Sequence, residues 1–105
     1  MATTLVVGTP SKATLTTTDE VYTLPLEARS LRITNRGAVA LRWNYGAATD
    51  ATNFETIAAA ATATIPASPR QTGRSRELVA SLRKVTIRTD SATASTEVTA
   101  QTTSV

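Results

Sequence analysis

The stretch that decides the fold is residues 30–45, which read SLRITNRGAVALRWNY. Apolar and polar residues alternate on both sides of the Asn35-Arg36-Gly37 segment, as in half-buried β-strands. Because Asn-x-Gly is a turn signal and glycine tolerates positive φ, we expect a hairpin over residues 30–45. The residues that would face the core are Leu31, Ile33, Val39, Leu41 and Trp43.

The same alternation continues outside this stretch. Tyr22 to Leu26 includes Pro25, and proline cannot donate to a strand ladder, so we expect an edge segment there. Lys84 to Thr89 and Ser95 to Ala100 predict a second hairpin that turns at residues 90–93.

Residues 53–61 can be interpreted in two ways. Thr52 and Glu55 fit a capping box, and the alanines that follow favour a helix. Apolar residues at period two predict instead two short strands, over residues 54–57 and 61–65. Beyond them the composition of residues 67–76 indicates a loop, and the spacing of apolar residues over 78–85 allows one helical turn.

About seven or eight short strands in this spacing predict an all-β protein, an antiparallel β-sandwich or a small jelly roll. We expect one domain over residues 1–105. Residues 1–18 would be an N-terminal arm that pairs with a neighbouring subunit, and residues 101–105 a polar tail.

The composition excludes several classes of chemistry. The chain contains neither cysteine nor histidine, which excludes thiol catalysis, histidine-based triads, Cys/His metal sites and disulfides. Alanine supplies 18 of its residues and threonine 22, so the core is thin and association would add useful burial. Since no motif indicates a catalytic, metal or cofactor site, we expect that the protein is not an enzyme and that it binds no cofactor. No apolar run approaches the ~18 residues of a membrane span.

The net charge of +3 is unevenly distributed. Residues 69–88 carry six basic residues against Glu77 alone. Arg70, Arg74 and Arg76 are our candidates for a partner interface, because guanidinium groups pair bidentately with carboxylates. Nucleic acid is a weaker candidate partner, since no aromatic residues that could stack on bases are interleaved with these arginines.

Two further groups were weighed as sites. Asp19 and Glu20 are adjacent carboxylates, which we interpret as a turn before a strand rather than as a catalytic or calcium pair. Trp43 shares a face with Leu41, so we expect it in the core. Tyr45 follows at the end of that strand and is the candidate surface aromatic, on which a carbohydrate-binding module would depend.

Three parts of the sequence together resemble small β-sandwich virion proteins of tailed bacteriophages, over about residues 21–89. They are VYTL at 21–24 with LRITNRG at 31–37 and the strand with Trp43 that follows, the Ala/Thr-rich loop and strand from Ile57 to Pro66, and the closing strand VTIRT at 85–89. The resemblance implies a non-enzymatic structural protein of the virion, assembled in the host cytoplasm. A capsid decoration or cement protein is the leading expectation, with other copies of itself and a major capsid protein as partners. A tail or adsorption subunit and a carbohydrate-binding module are the alternatives.

Overall fold

The computed structural model describes residues 2–67 and 84–103, and no helix occurs among them. The predicted loop over 67–76 and the helical turn before Val85 therefore lie almost wholly outside the described residues. The strands within them are β1 (Ala2–Thr4), β2 (Ser11–Leu15), β3 (Glu20–Thr23), β4 (Ser30–Asn35), β5 (Leu41–Tyr45), β6 (Glu55–Ile57), β7 (Thr62–Pro66), β8 (Lys84–Thr89) and β9 (Ala94–Gln101).

These strands form a five-stranded sheet, in the order β1-β3-β8-β5-β6, and a four-stranded sheet, in the order β2-β9-β4-β7. Four antiparallel pairs are nested along the chain: β5 with β6, β4 with β7, β3 with β8, and β2 with β9. Two further antiparallel pairs, β4 with β9 and β5 with β8, join the nested pairs into the two sheets. Nested pairs divided between two packed sheets are the jelly-roll arrangement, so the all-β prediction is confirmed for the described residues.

The expected hairpin over residues 30–45 is wrong. β4 belongs to the four-stranded sheet and β5 to the five-stranded sheet, so the two strands do not share hydrogen bonds. Alternation shows which side of a strand faces the core, but not which strand is its neighbour. Leu31 and Leu41 are both fully buried in the common core, as either arrangement would require.

The side chain of Asn35 holds the crossing between the sheets. It is fully buried, and its Nδ2 donates to the carbonyl oxygens of Val39 at 2.8 Å and Ala58 at 3.1 Å. Its Oδ1 accepts from the Gly37 backbone N–H at 3.0 Å. Gly37 itself does not have the positive φ that we expected.

The second expected hairpin is wrong for the same reason, because β8 and β9 also lie in different sheets. Of the two interpretations of residues 53–61, the strands are confirmed. Glu55–Ile57 pairs with β5, and Thr62–Pro66 pairs with β4. Between them the chain turns through Ala60, which has φ of 63°.

The N-terminal residues belong to the sandwich itself. β1 pairs in parallel with β3, and β2 pairs antiparallel with β9 of the same chain. Leu5 and Leu15 are buried in the core, which explains why residues 2–15 pair within their own chain and do not form the expected arm on a neighbouring subunit. Consequently Tyr22 lies on an internal strand rather than on the expected edge. At the other terminus, Gln101 completes β9.

The core between the sheets contains the residues predicted for it. Leu31, Ile33, Leu41 and Trp43 are buried, and Val39 is partly buried against them. Full burial of a side chain of this kind contributes about 1.5–3 kcal/mol. Each of these buried side chains therefore stabilises the contact between the two sheets.

Candidate interaction surface

One end of the sandwich, which we call the Tyr45 end, is closed by a bond between the two sheets. The Tyr45 hydroxyl donates to the Pro66 carbonyl oxygen at 2.7 Å. Tyr45 is half-buried, and this burial raises its pKa to about 12. The residue predicted as a surface aromatic thus has its polar tip engaged within the protein.

The aromatic side chains at and near Tyr45 make contacts within the protein. The Trp43 ring packs edge-on against Tyr45, with centroids 5.2 Å apart, and is only 9% exposed, as predicted for a core residue. On the outer side, the Arg42 guanidinium covers Phe54 at 4.5 Å from the ring centroid. A cleft of about 370 Å³ passes Trp43, Tyr45 and Phe54. Because sugars stack on open ring faces, this cleft gives the carbohydrate hypothesis little support.

Residues 46–54 fold back over the outer face of the five-stranded sheet. Asn44 Nδ2 donates to the Ala48 carbonyl oxygen at 2.8 Å, and the Thr49 N–H donates to Asp19 Oδ2 at 3.2 Å. Asn44 is therefore buried although it points away from the core. This role of Asn44 was not predicted, and the one signal for it in the sequence is a polar residue at an outward position of β5.

The carboxylates considered in the sequence act in local structure. Glu20 accepts from the Thr3 hydroxyl at 2.8 Å, which links β1 to β3. Asp50 accepts from the backbone N–H groups of Asn53 and Thr52, and these bonds lower the pKa of Asp50. Such contacts order turns. Among the described residues, no three acidic side chains gather into a group that could hold a metal ion.

The outer face of the four-stranded sheet, in contrast, carries a mostly open set of hydroxyl and charged side chains. Lys12 of β2 lies across from Glu97 of β9 in the register, and Arg36 Nη2 is 3.5 Å from Glu97 Oε2. Arg32 is exposed at the centre of this face, between Thr99 and Thr64 on the neighbouring strands. This face is therefore polar and carries more basic than acidic groups.

The Tyr45 end exposes two large apolar side chains. Leu26, in the loop between β3 and β4, is 87% exposed, and Val6, in the loop between β1 and β2, is 64% exposed. β7 ends at this end of the sandwich and β8 begins there, since Pro66 pairs with Ser30 and Lys84 with Thr23.

The predicted interface residues Arg70, Arg74 and Arg76 lie outside the described residues. They belong to the connection between β7 and β8, whose described ends, Ala67 and Lys84, are both at the Tyr45 end. Their role in binding stays a prediction.

The fold and surfaces define the class of the protein as a jelly-roll sandwich with one added N-terminal strand. Comparison with protein-family models, with curated proteins and with solved structures found no match to the chain. Within the part of the chain that the structure describes, no helix is long and apolar enough to cross a membrane.

Proposed function

We propose that this protein is a non-enzymatic structural subunit of a bacteriophage particle, where it decorates the head and stabilises it through contacts between subunits. The observation that carries the proposal is the exposure of Leu26 and Val6 at one end of a jelly roll. Jelly rolls serve in viral capsids, and also in lectins and cupins. Since a fold alone does not define a function, the proposal depends on this surface.

The Tyr45 end has the features that a docking surface needs. Transfer of an exposed leucine into an interface gains about 1.5–3 kcal/mol. The connection between β7 and β8, which carries Arg70, Arg74 and Arg76, begins and ends at the Tyr45 end. In the proposed contact, Leu26 and Val6 supply apolar burial while the arginines pair with carboxylates of the capsid partner.

Occupancy of stripped particles tests this contact. Particles from which the protein has been removed are incubated with wild-type protein or with variants, and the bound protein is quantified. Replacement of Arg70, Arg74 and Arg76 with Glu should abolish binding, and replacement with Ala should weaken it less, because alanine adds no repulsion. Unchanged occupancy of the Glu variant would show that the three arginines do not belong to the interface.

A matched pair of single substitutions tests the apolar part of the surface. Leu26→Asp should lower occupancy strongly. Ala59→Asp adds the same charge at an exposed position in the loop between β6 and β7, at the opposite end of the sandwich, and should leave occupancy unchanged. Circular dichroism confirms folding of each variant. Equal losses from both substitutions would contradict docking through the Tyr45 end.

A further inference from the structure

A cleft of about 340 Å³ lies on the outer face of the four-stranded sheet, close to the end of β9. Thr99 of β9 and Arg32 of β4 line it from the sheet, and Val7 and Gly8 line it from the loop that follows β1. The Gly8 N–H donates to the Ala100 carbonyl oxygen at 2.9 Å, which holds this loop against β9. The cleft shares no lining residue with the cleft at Trp43, Tyr45 and Phe54, and its loop side adjoins Val6 at the Tyr45 end.

Among the residues that the structure describes, the Thr99 hydroxyl has no hydrogen-bond partner. Thr99 is only 5% exposed, and its Oγ1 is the one buried side-chain nitrogen or oxygen without a hydrogen bond in residues 2–67 and 84–103. Buried polar atoms in folded proteins are almost always satisfied, because an unmade bond is costly. The unsatisfied hydroxyl of Thr99 therefore indicates a hydrogen-bond donor that a bound ligand would use.

Arg32 adds a positive charge to the lining of this cleft. It lies directly across from Thr99 in the register of β4 and β9, and its side chain is exposed. Two other arginines on the outer faces of the sheets form ion pairs, Arg36 with Glu97 and Arg42 with Asp90. The Arg32 side chain forms no ion pair or hydrogen bond with any other described residue. Its guanidinium is therefore available to a ligand.

We propose that Arg32 and Thr99 form a binding site for a carboxylate. One guanidinium and one neutral hydroxyl match a single negative charge, and Arg and carboxylate form paired N–H···O bonds. The Thr99 hydroxyl donates to the same carboxylate after a small movement of the exposed Arg32 side chain or of the Val7-Gly8 turn. This site is an addition to the proposed docking surface, next to it on the outer face of the four-stranded sheet, and its binding to a carboxylate is tested without phage particles.

Thr99→Val separates binding from stability, because valine keeps the shape and removes the hydroxyl. In the free protein the substitution removes an unsatisfied buried group, so the Tm should rise by about 4 °C. Carboxylate binding should weaken about tenfold, because a hydrogen bond to a charged group is lost. A purely structural threonine would not show these opposite effects, and a fall in Tm with unchanged binding would overturn the assignment.

Titration of the ¹⁵N-labelled full chain, followed by NMR at constant ionic strength, tests the site itself. The probes are acetate, a capped Gly-Asp-Gly peptide, the matching Gly-Asn-Gly peptide and inorganic phosphate. We expect saturable shifts at Gly8, Thr99 and the Arg32 Nε–H with the two carboxylates and none with the Asn peptide. Tighter binding of the Asp peptide than of acetate indicates a protein side chain as the source, and equal binding indicates recognition of the carboxylate alone.

Two variants with the same change of charge on the same face provide the control. Arg32→Gln should abolish the saturable shifts, and Arg36→Gln, which alters a residue paired with Glu97, should leave them within about twofold of wild type. Equal loss in both variants would show a general charge effect and overturn the site. Absence of saturation in the wild type, or tighter binding of phosphate than of carboxylate, would overturn it too.

Discussion

Gly37 and Ala94 approach each other so closely that a Cβ atom on Gly37 would lie 2.5 Å from the Ala94 Cβ. Gly37 follows β4 and Ala94 begins β9, so the contact fixes the crossing segment against the neighbouring strand of the four-stranded sheet. Glycine is required here by space and not by backbone conformation, since Gly37 has no positive φ.

Gly37→Ala should therefore destabilise the protein by about 1–3 kcal/mol through overpacking. The double variant Gly37→Ala/Ala94→Gly removes the Ala94 Cβ but keeps the Ala94 Cα, which would lie 2.7 Å from the added Cβ, so it should recover only part of that loss. Denaturant unfolding of the wild type, both single variants and the double variant measures the coupling. Strictly additive effects would contradict the contact.

Asn35→Ala should cost about 2–4 kcal/mol, because it removes the buried amide that donates to the carbonyl oxygens of Val39, Ile57 and Ala58. The control is Asn53→Ala, which changes an exposed asparagine and should alter stability by no more than about 0.5 kcal/mol. Thermal or denaturant unfolding measures both. Similar small effects from the two substitutions would show that Asn35 does not hold the crossing between sheets.

Trp43 is the single tryptophan of the chain, so its fluorescence reports on the core directly. The native protein should emit at shorter wavelength than the unfolded chain, and Trp43→Ala should cost about 3–5 kcal/mol. Emission from the native state at the wavelength of a fully hydrated indole would place the ring outside the core.

Both tyrosines should ionise at a higher pH than an exposed tyrosine does. Burial raises the pKa of Tyr22 from 10.0 to about 12, with a smaller contribution from Glu20, and burial raises the pKa of Tyr45 to about 12. The unfolded chain ionises from about pH 10, so the stabilisation of the neutral phenols is present below that pH and is lost between pH 10 and 12. Absorbance titration of tyrosinate, with circular dichroism in parallel, measures this. Ionisation of either tyrosine near pH 10 in the folded protein would contradict the burial.

The strands and the inward faces could be predicted from the sequence because alternation is a local property of the chain. Leu31 and Trp43 were therefore assigned correctly to the core, and the strand at 62–66 was placed to within a residue. The partners of the strands could not be predicted, because β4 pairs with β7 and β9, which come much later in the chain. The Arg32–Thr99 cleft was missed for the same reason, since the two residues meet only across that long-range pairing.

The proposed decoration of a phage head is tested most directly by the copy number of the protein in purified particles. Quantitative mass spectrometry compares the protein with the major capsid protein, and symmetry-resolved imaging locates it. We expect a copy number of the same order as that of the capsid protein, with the Tyr45 end against the shell. A few copies confined to the tail, or none in the particle, would contradict it.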